Sequence, residues 1–376
     1  MRFLSLFSGI EAASLAWEPL GWTCAGVAEI EPFPCAVLAR HHPLVRNFGD
    51  VSNITKKQVL SLDRIDLVVG GFPCQDVSIA GKRRGFKNSD GTGTRSGLFH
   101  EAMRIIRYAR EFSGLRWAVI ENVPGLFNSH GGRDFAAVVG ALAGTGFDVP
   151  RDGWRNTGCA VGPNGLVEWS VLDARWRGLA QRRERVFLVC DFGAWSHRPP
   201  VLLERESMLG NPPSREKTRQ EITGGAEGGA LDGGLTVSMA LNAHPGGSRY
   251  DGESETFVTP PLRASDRRAA ADGNHTEGDS LVVTHALTGE GFDASEDGTG
   301  RGTPMVPEGS GVRRLTVTEC ERLMGVPDGY TAVPFRGKVA ADGPRYKALG
   351  NSMAVPVMRW IGERIQLVSE GGGTGS

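Results

Sequence analysis

Cys74 stands in Gly70-Gly71-Phe72-Pro73-Cys74-Gln75, directly after the largely apolar run 65–69. A short apolar run rich in β-branched residues reads as a buried strand, and two glycines and a proline end it sharply. A thiol placed there sits at the edge of a sheet, where open α/β folds usually bind their ligands. It is placed to act as a nucleophile. The same residue type also suits a small buried apolar side chain, which is what most free cysteines are. The flanking Pro73 and Gln75 argue against simple burial.

A second group of residues suits a nucleoside. Phe7-Ser8-Gly9 lies where a first strand turns into a helix, and glycine there lets backbone amides approach a ligand at a helix N-terminus. Glu29 closes the next strand, 20 residues after Gly9. An acidic residue at that place typically takes ribose hydroxyls. Asp50, after Gly49, can accept from an adenine amino group. Together these residues describe an adenosine site. They leave the cofactor open, because the turn falls short of the full GxGxxG pattern.

More polar segments follow strand-like runs in order. Glu121-Asn122-Val123 follows the run 117–120, Gln181-Arg182-Arg183-Glu184-Arg185 precedes the run 186–190, and Gly350-Asn351-Ser352 lies near the C-terminus. With Phe7-Ser8-Gly9-Ile10-Glu11 and Pro73-Cys74-Gln75, this ordered set closely resembles the motifs of the DNA cytosine-5 methyltransferases of bacteria and phages. The resemblance covers roughly residues 1–190 and 313–360 and leaves 191–312 unmatched.

The resemblance implies S-adenosyl-L-methionine as cofactor, held by Phe7, Ser8, Gly9, Glu29, Ile30, Asp50, Pro73, Asn351 and Ser352. Ile30 stands where the family often has an aromatic residue over the adenine. It also implies Cys74, Glu121, Arg183 and Arg185 as the catalytic set. C5 of cytosine is a poor nucleophile, and a thiolate adding to C6 turns the ring into an enamine whose C5 can attack a methyl sulfonium. Glu121 would hold N3 and the 4-amino group, and the two arginines would hold O2 and favour the thiolate, since lowering a thiol pKa needs a nearby cation. The alternative for the arginines is a surface cluster touching only phosphate. The target atom is hidden in duplex DNA, so the base must be flipped out. The segment 76–97, with Gly81, Lys82, Arg83, Arg84, Gly85, Gly91 and Gly93, has the composition of a basic loop that closes over it. Gln75, Ser78, Lys82 and Arg83 are the DNA-binding candidates. The stretch 88–94 is longer than the family's usual loop.

These residues require a βαβ framework. Residues 4–7, 25–30, 65–69 and 117–120 read as strands, 10–20, 34–40 and 98–109 as helices, which implies a mostly parallel sheet. The expected fold is therefore α/β, a Rossmann-like S-adenosylmethionine-dependent methyltransferase domain (1–190 and 313–368) with a smaller β-rich target-recognition insert (191–312). Within the insert, 204–235 has linker composition, and 240–307 holds three imperfect repeats that close on Phe257-Val258, Leu281-Val282-Val283 and Met305-Val306. A helix is expected over 316–325, capped by Thr316 or Thr318, and another over 352–367. Residues 369–376 read as a tail.

Net charge is −1 over 376 residues, but it is unevenly placed. Residues 191–312 carry 10 Lys+Arg against 19 Asp+Glu, and the remainder 32 against 24. The basic core can attract phosphate, which dominates DNA affinity. Within the acidic insert, Arg249, Arg263, Arg267, Arg268 and Arg301 are the expected DNA contacts. The six cysteines form no CxxC pair or zinc spacing, which suits a reducing compartment and no metal. Asp293-Ala294-Ser295-Glu296-Asp297-Gly298 has a calcium-loop look, yet position twelve is Pro304 where glutamate is required. No signal peptide or apolar span is evident. The expected partners are double-stranded DNA, no membrane, and a cognate restriction endonuclease as a candidate, for a monomer in the cytoplasm of a bacterium or phage-infected host. Two other readings share the scaffold: a catalytically silent DNA-binding protein, and an RNA cytosine methyltransferase.

Overall fold

The computed structural model describes residues 1–72, 97–196, 198–203 and 315–370 in full, and the backbone of 236–239, 256–259, 281–282, 305–308, 311–314 and 371. Pro73, Cys74, Gln75, Ser78, Lys82 and Arg83 lie outside the described residues, as do Arg249, Arg263, Arg267, Arg268, Arg301 and the 293–298 segment.

A seven-stranded sheet organises the body, in the order β2-β1-β3-β4-β7-β6-β5. Its strands are β1 (Arg2–Leu6), β2 (Thr23–Ala28), β3 (Leu67–Gly71), β4 (Trp117–Asn122), β5 (Thr157–Gly162), β6 (Gly165–Asp173) and β7 (Glu184–Asp191). β1 to β4 pair in parallel, and β7, β6 and β5 follow by antiparallel pairings. Five strands thus run one way and two the other.

Period-two alternation explains why these runs are apolar throughout. Phe3, Leu67, Val69, Trp117, Val119, Phe187 and Val189 face one core. Leu4, Leu6, Val68, Ala118, Ile120, Val186 and Leu188 face the other. The first core is covered by α1 (Ala12–Trp17), α2 (Pro32–His41), α6 (Val317–Leu323), α7 (Asp342–Asn351) and α8 (Val355–Gly371). The second is covered by α3 (Lys56–Leu60), α4 (Gly97–Phe112) and α5 (Arg133–Ala143).

Local chemistry sets several boundaries away from the sequence expectation. The helix expected over 10–20 is α1 followed by a 3-10 turn, Glu18–Leu20, with Pro19 at its start. α2 begins at Pro32, since proline is tolerated in a first turn. Of the two caps considered for α6, Thr316 is used, and it forms a capping box with Glu319. α8 starts at Val355, three residues later than expected, with Pro356 in its first turn; 352–354 stay outside the helix and border the site described below. β5, β6, α5 and α7 have no counterpart in the sequence reading. Of the three repeat closings, Phe257-Val258 lies in β9 (Thr256–Thr259), Leu281-Val282 forms β10 and Met305-Val306 lies in β11 (Met305–Glu308). β10, β9 and β8 (Thr236–Met239) make a three-stranded antiparallel sheet, and β11 pairs with β12 (Gly311–Arg314). A short hairpin, β13 (Pro334–Phe335) with β14 (Lys338–Val339), follows.

The two ends of the chain close the first core together. Ala354, just before α8, and Val357, Met358, Ile361 and Ile365 on it are buried. Trp17 Nε1 donates to Met358 O at 2.7 Å, and its ring meets Phe3 edge-on at 5.2 Å. Gly362 is what admits that ring: a Cβ there would lie 2.5 Å from Trp17 Cδ1. Trp17→Ala removes the ring and its hydrogen bond to Met358 O, so it should destabilise the fold by about 3–5 kcal/mol, read from urea unfolding.

Candidate active site

After β1 the chain passes through left-handed backbone at Phe7, Gly9 and Glu11, with φ of 53°, 55° and 65°. This turn is tied to the end of β2. Ser8 N donates to Ala28 O, and Ser8 Oγ accepts from Ala28 N and donates to Ser5 O. Glu29 Oε2 accepts from Gly9 N at 2.8 Å, while Oε1 accepts from Ile30 N and Glu31 N at 2.8 and 2.7 Å. The carboxylate is therefore held at the mouth between the first two strands. Ile30 is 65 % exposed beside it. Asp50 Oδ1 caps the short turn Val51–Asn53 by accepting from Ser52 N.

Asn47, which the sequence reading passed over, joins these pieces. Its Oδ1 accepts from Glu29 N and Gly49 N, and its Nδ2 donates to Glu29 O and to Cys35 Sγ. One amide thus sets the ribose-side strand end against the loop leading to Asp50. Its only sequence signal was its place three residues before Asp50.

A cavity opens at this edge of the sheet. Phe7, Ser8, Gly9, Glu121, Asn351 and Ser352 line it, so the structure brings together residues 345 positions apart in the chain. Glu29, Ile30 and Asp50 lie outside that lining. Gly71 forms part of the wall, where a Cβ would come within 2.9 Å of Glu121 Oε2. The space a side chain would fill is therefore kept beside the carboxyl.

Glu121 ends β4 opposite Phe187 of β7. Arg185, two residues nearer the strand end, shares its face and reaches it diagonally, with Nε 3.1 Å from Glu121 Oε1. Burial raises the Glu121 carboxyl above the ordinary range, against the pull of Arg185 and Arg183. Arg183 continues the same alternation and is 3 % exposed. Its Nη2 donates to Gly350 O and Ser352 O at 2.9 and 2.7 Å. Burial and the neighbouring Arg185 push its pKa down to about 9, which leaves it a cation at neutral pH. These bonds make it a positioning residue for the Asn351-Ser352 wall. Asn122, buried, donates from Nδ2 to Phe72 O at 3.0 Å. It anchors the segment from which Pro73 and Cys74 continue.

Comparisons with known proteins now bear on this geometry. The family model described as C-5 cytosine-specific DNA methylase matches residues 1–194 and 250–367. The chain belongs to that family. Its members transfer a methyl group from S-adenosyl-L-methionine to C5 of cytosine in DNA. The chain is 34 % identical to a protein of Escherichia phage P1 named a DNA N-6-adenine-methyltransferase, over 96 % of this chain and 60 % of that one. It is 28 % identical to the type II methyltransferase M.MspI of Moraxella sp, over 97 % of this chain and 70 % of the relative. The chain thus spans somewhat less than two thirds of the phage relative's length. Among solved structures, the Dnmt2 methyltransferase of S. pombe superposes with a TM-score of 0.57 at 17 % identity, covering 99 % of both chains, which shows the shared fold.

The donor set fits the family's methyl donor. The Glu29 carboxylate is held against the glycine turn, an aliphatic surface at Ile30 lies beside it, and the turn leads into the cavity. Asn47→Ala removes four hydrogen bonds behind this arrangement. It should weaken S-adenosyl-L-methionine binding by about tenfold, from about 1.4 kcal/mol of lost positioning, with thermal stability changed little; titration calorimetry checks it.

Proposed function

We propose that this family member methylates C5 of cytosine at specific sites in double-stranded DNA, with Cys74 as nucleophile. The observation that carries the reading is the partly buried Glu121–Arg185 pair, whose carboxyl lines the cavity together with Gly9 and Ser352. Cys74 follows Gly71 by three residues, so chain connectivity keeps its Cα within about 11 Å of Gly71. Gly71 pairs in register with Glu121.

In this reading the Cys74 thiolate adds to C6 of a flipped cytosine. Burial raises the Glu121 carboxyl above the ordinary range, which favours the protonated form that would hold N3 as negative charge grows on the ring. Arg185 orients Glu121 and offers its remaining N–H groups to O2. Arg183 acts from behind, through Gly350 and Ser352. Bound S-adenosyl-L-methionine supplies the electrophilic methyl group. Loss of the C5 proton then expels the thiolate and restores the aromatic ring. Gln75, Ser78, Lys82 and Arg83 contact the DNA, and 191–312 supplies sequence recognition on a catalytic body of 1–190 and 313–368.

The described residues hold no helix long and apolar enough to cross a membrane. We read the enzyme as a cytoplasmic monomer, and the type II name of the Moraxella relative supports a cognate restriction endonuclease as its companion. The name of the phage P1 relative raises a second reading, methylation of adenine N6. An amino group needs no thiol addition and no acid at a ring nitrogen, so the carboxyl and its arginine favour cytosine.

Mass spectrometry of nucleosides from DNA treated with the chain separates the readings: 5-methylcytosine is expected, and N6-methyladenine alone would overturn the proposal. Cys74→Ser should abolish turnover and the covalent adduct with a 5-fluorocytosine duplex while DNA binding persists. Glu121→Gln should slow single-turnover methylation by about 10²–10⁴-fold, the range for a general acid. Because the Glu121 pKa is raised and its protonated form is the active one, the wild-type rate should fall as pH climbs through that pKa.

A further inference from the structure

Glu11 is a carboxylic acid at a place that suits neither its backbone nor its charge. It adopts φ 65° and ψ 55°, a left-handed conformation that favours glycine. It is 1 % exposed. Its N–H donates to Ser8 O at 2.9 Å, closing the turn after β1. Its Oε1 accepts from Ser14 N and Ser14 Oγ at 3.2 and 3.3 Å. Its Oε2 is buried with no hydrogen-bond partner.

The residues around it offer no counter-ion. The Ser5 and Ser14 hydroxyls, Cys24 of β2, Glu18 after α1 and Tyr330 after α6 are the polar and titratable groups that face it. His42, at the end of α2, lies 3.6 Å from Glu18 and 3.4 Å from the Tyr330 hydroxyl, and burial lowers its pKa. Burial raises the Cys24 thiol and the Tyr330 hydroxyl, so neither titrates near neutrality. Among the described residues none forms an ion pair with Glu11. Desolvation lifts its own pKa to about 7.

The cavity lies one layer away. Ser5, Gly9, Ala12 and Ala13, which flank or touch Glu11, all line it. A buried acid without a cation, set behind a cavity wall, makes that cavity electrostatically receptive to positive charge. The methyl donor carries a sulfonium; the product left after methyl transfer is a neutral thioether.

We propose that Glu11 is a specificity-determining residue that favours the cationic methyl donor over its demethylated product by charge from beneath the cofactor turn. The inference rests on the reading that this cavity takes S-adenosyl-L-methionine. The positive sulfonium stabilises the Glu11 carboxylate, so donor binding near pH 7 releases part of a proton from Glu11 and product binding does not. The preference for donor over product therefore grows as pH rises through the Glu11 pKa, since the carboxylate is the discriminating form.

Titration calorimetry of the full chain, with S-adenosyl-L-methionine and with S-adenosyl-L-homocysteine, tests this in buffers of different ionisation enthalpy. Wild type should release up to about half a proton more with the donor than Glu11→Gln does. Glu11→Gln, a neutral near-isostere, should lower the donor-to-product affinity ratio by about fivefold or more. The same proton count and ratio in both proteins would overturn the role of Glu11 while leaving the cofactor site standing. Absence of donor binding to wild type would overturn the site reading itself, and this inference with it. Should the variant fail to fold, the wild-type ratio measured from pH 6 to 8 decides: a rise supports the proposal and a flat profile rejects it.

Discussion

A buried guanidinium joins the middle of this chain to its C-terminal segment at one point. Arg183 donates to the carbonyls of Gly350 and Ser352, and without those bonds the cavity would lack its C-terminal wall. A buried cation is costly to desolvate and is retained where its hydrogen bonds are made. Here the arrangement follows from strand parity. Arg183, just before β7, continues the alternation of Arg185 and Phe187, so the residue that secures the wall and the residue that meets Glu121 come from the same two-residue repeat. Trp17, seated on α8 at Met358, makes the second closure of the same interface.

Two carboxyls border this site, and their surroundings differ. Glu121 faces two arginines and is pulled toward ionisation against its burial. Glu11 has hydroxyl groups and other acids as neighbours, and among the described residues no cation opposes its burial. A raised Glu121 carboxyl suits the proposed contact with a ring nitrogen. A proton held loosely on Glu11 makes the pocket responsive to a ligand's charge. The same physical term, desolvation, has different consequences because the nearest charges have opposite sign.

Much of the parallel half was legible from residues alone. β1, β3 and β4 are short apolar runs, and the face of α8 shows in the spacing of Val357, Met358, Ile361 and Ile365. Of the antiparallel half only β7 was legible, for an identifiable reason. β6 places Glu168 at a fully buried position, which breaks the apolar pattern expected of a core strand. That carboxylate is neutralised by Arg198 and accepts from the Val201 and Leu202 amides, partners found 30 or more residues away. Asn47 escaped notice likewise, because its four bonds lie in a loop with no periodicity.

The sequence by itself determined which residue types were available for chemistry and in what order: a thiol, an acid, paired arginines and a glycine turn, each beside an apolar run that must be buried. Local hydrophobicity and turn chemistry are enough for that, since they act over a few residues. Only the tertiary structure decided that Arg183 faces Gly350 and Ser352, that Glu121 meets Arg185 diagonally, and that Glu11 is buried without a counter-ion. Those outcomes depend on strand register and on which helix covers which face. Charge and burial at a point in space are summed over residues that the chain order keeps far apart.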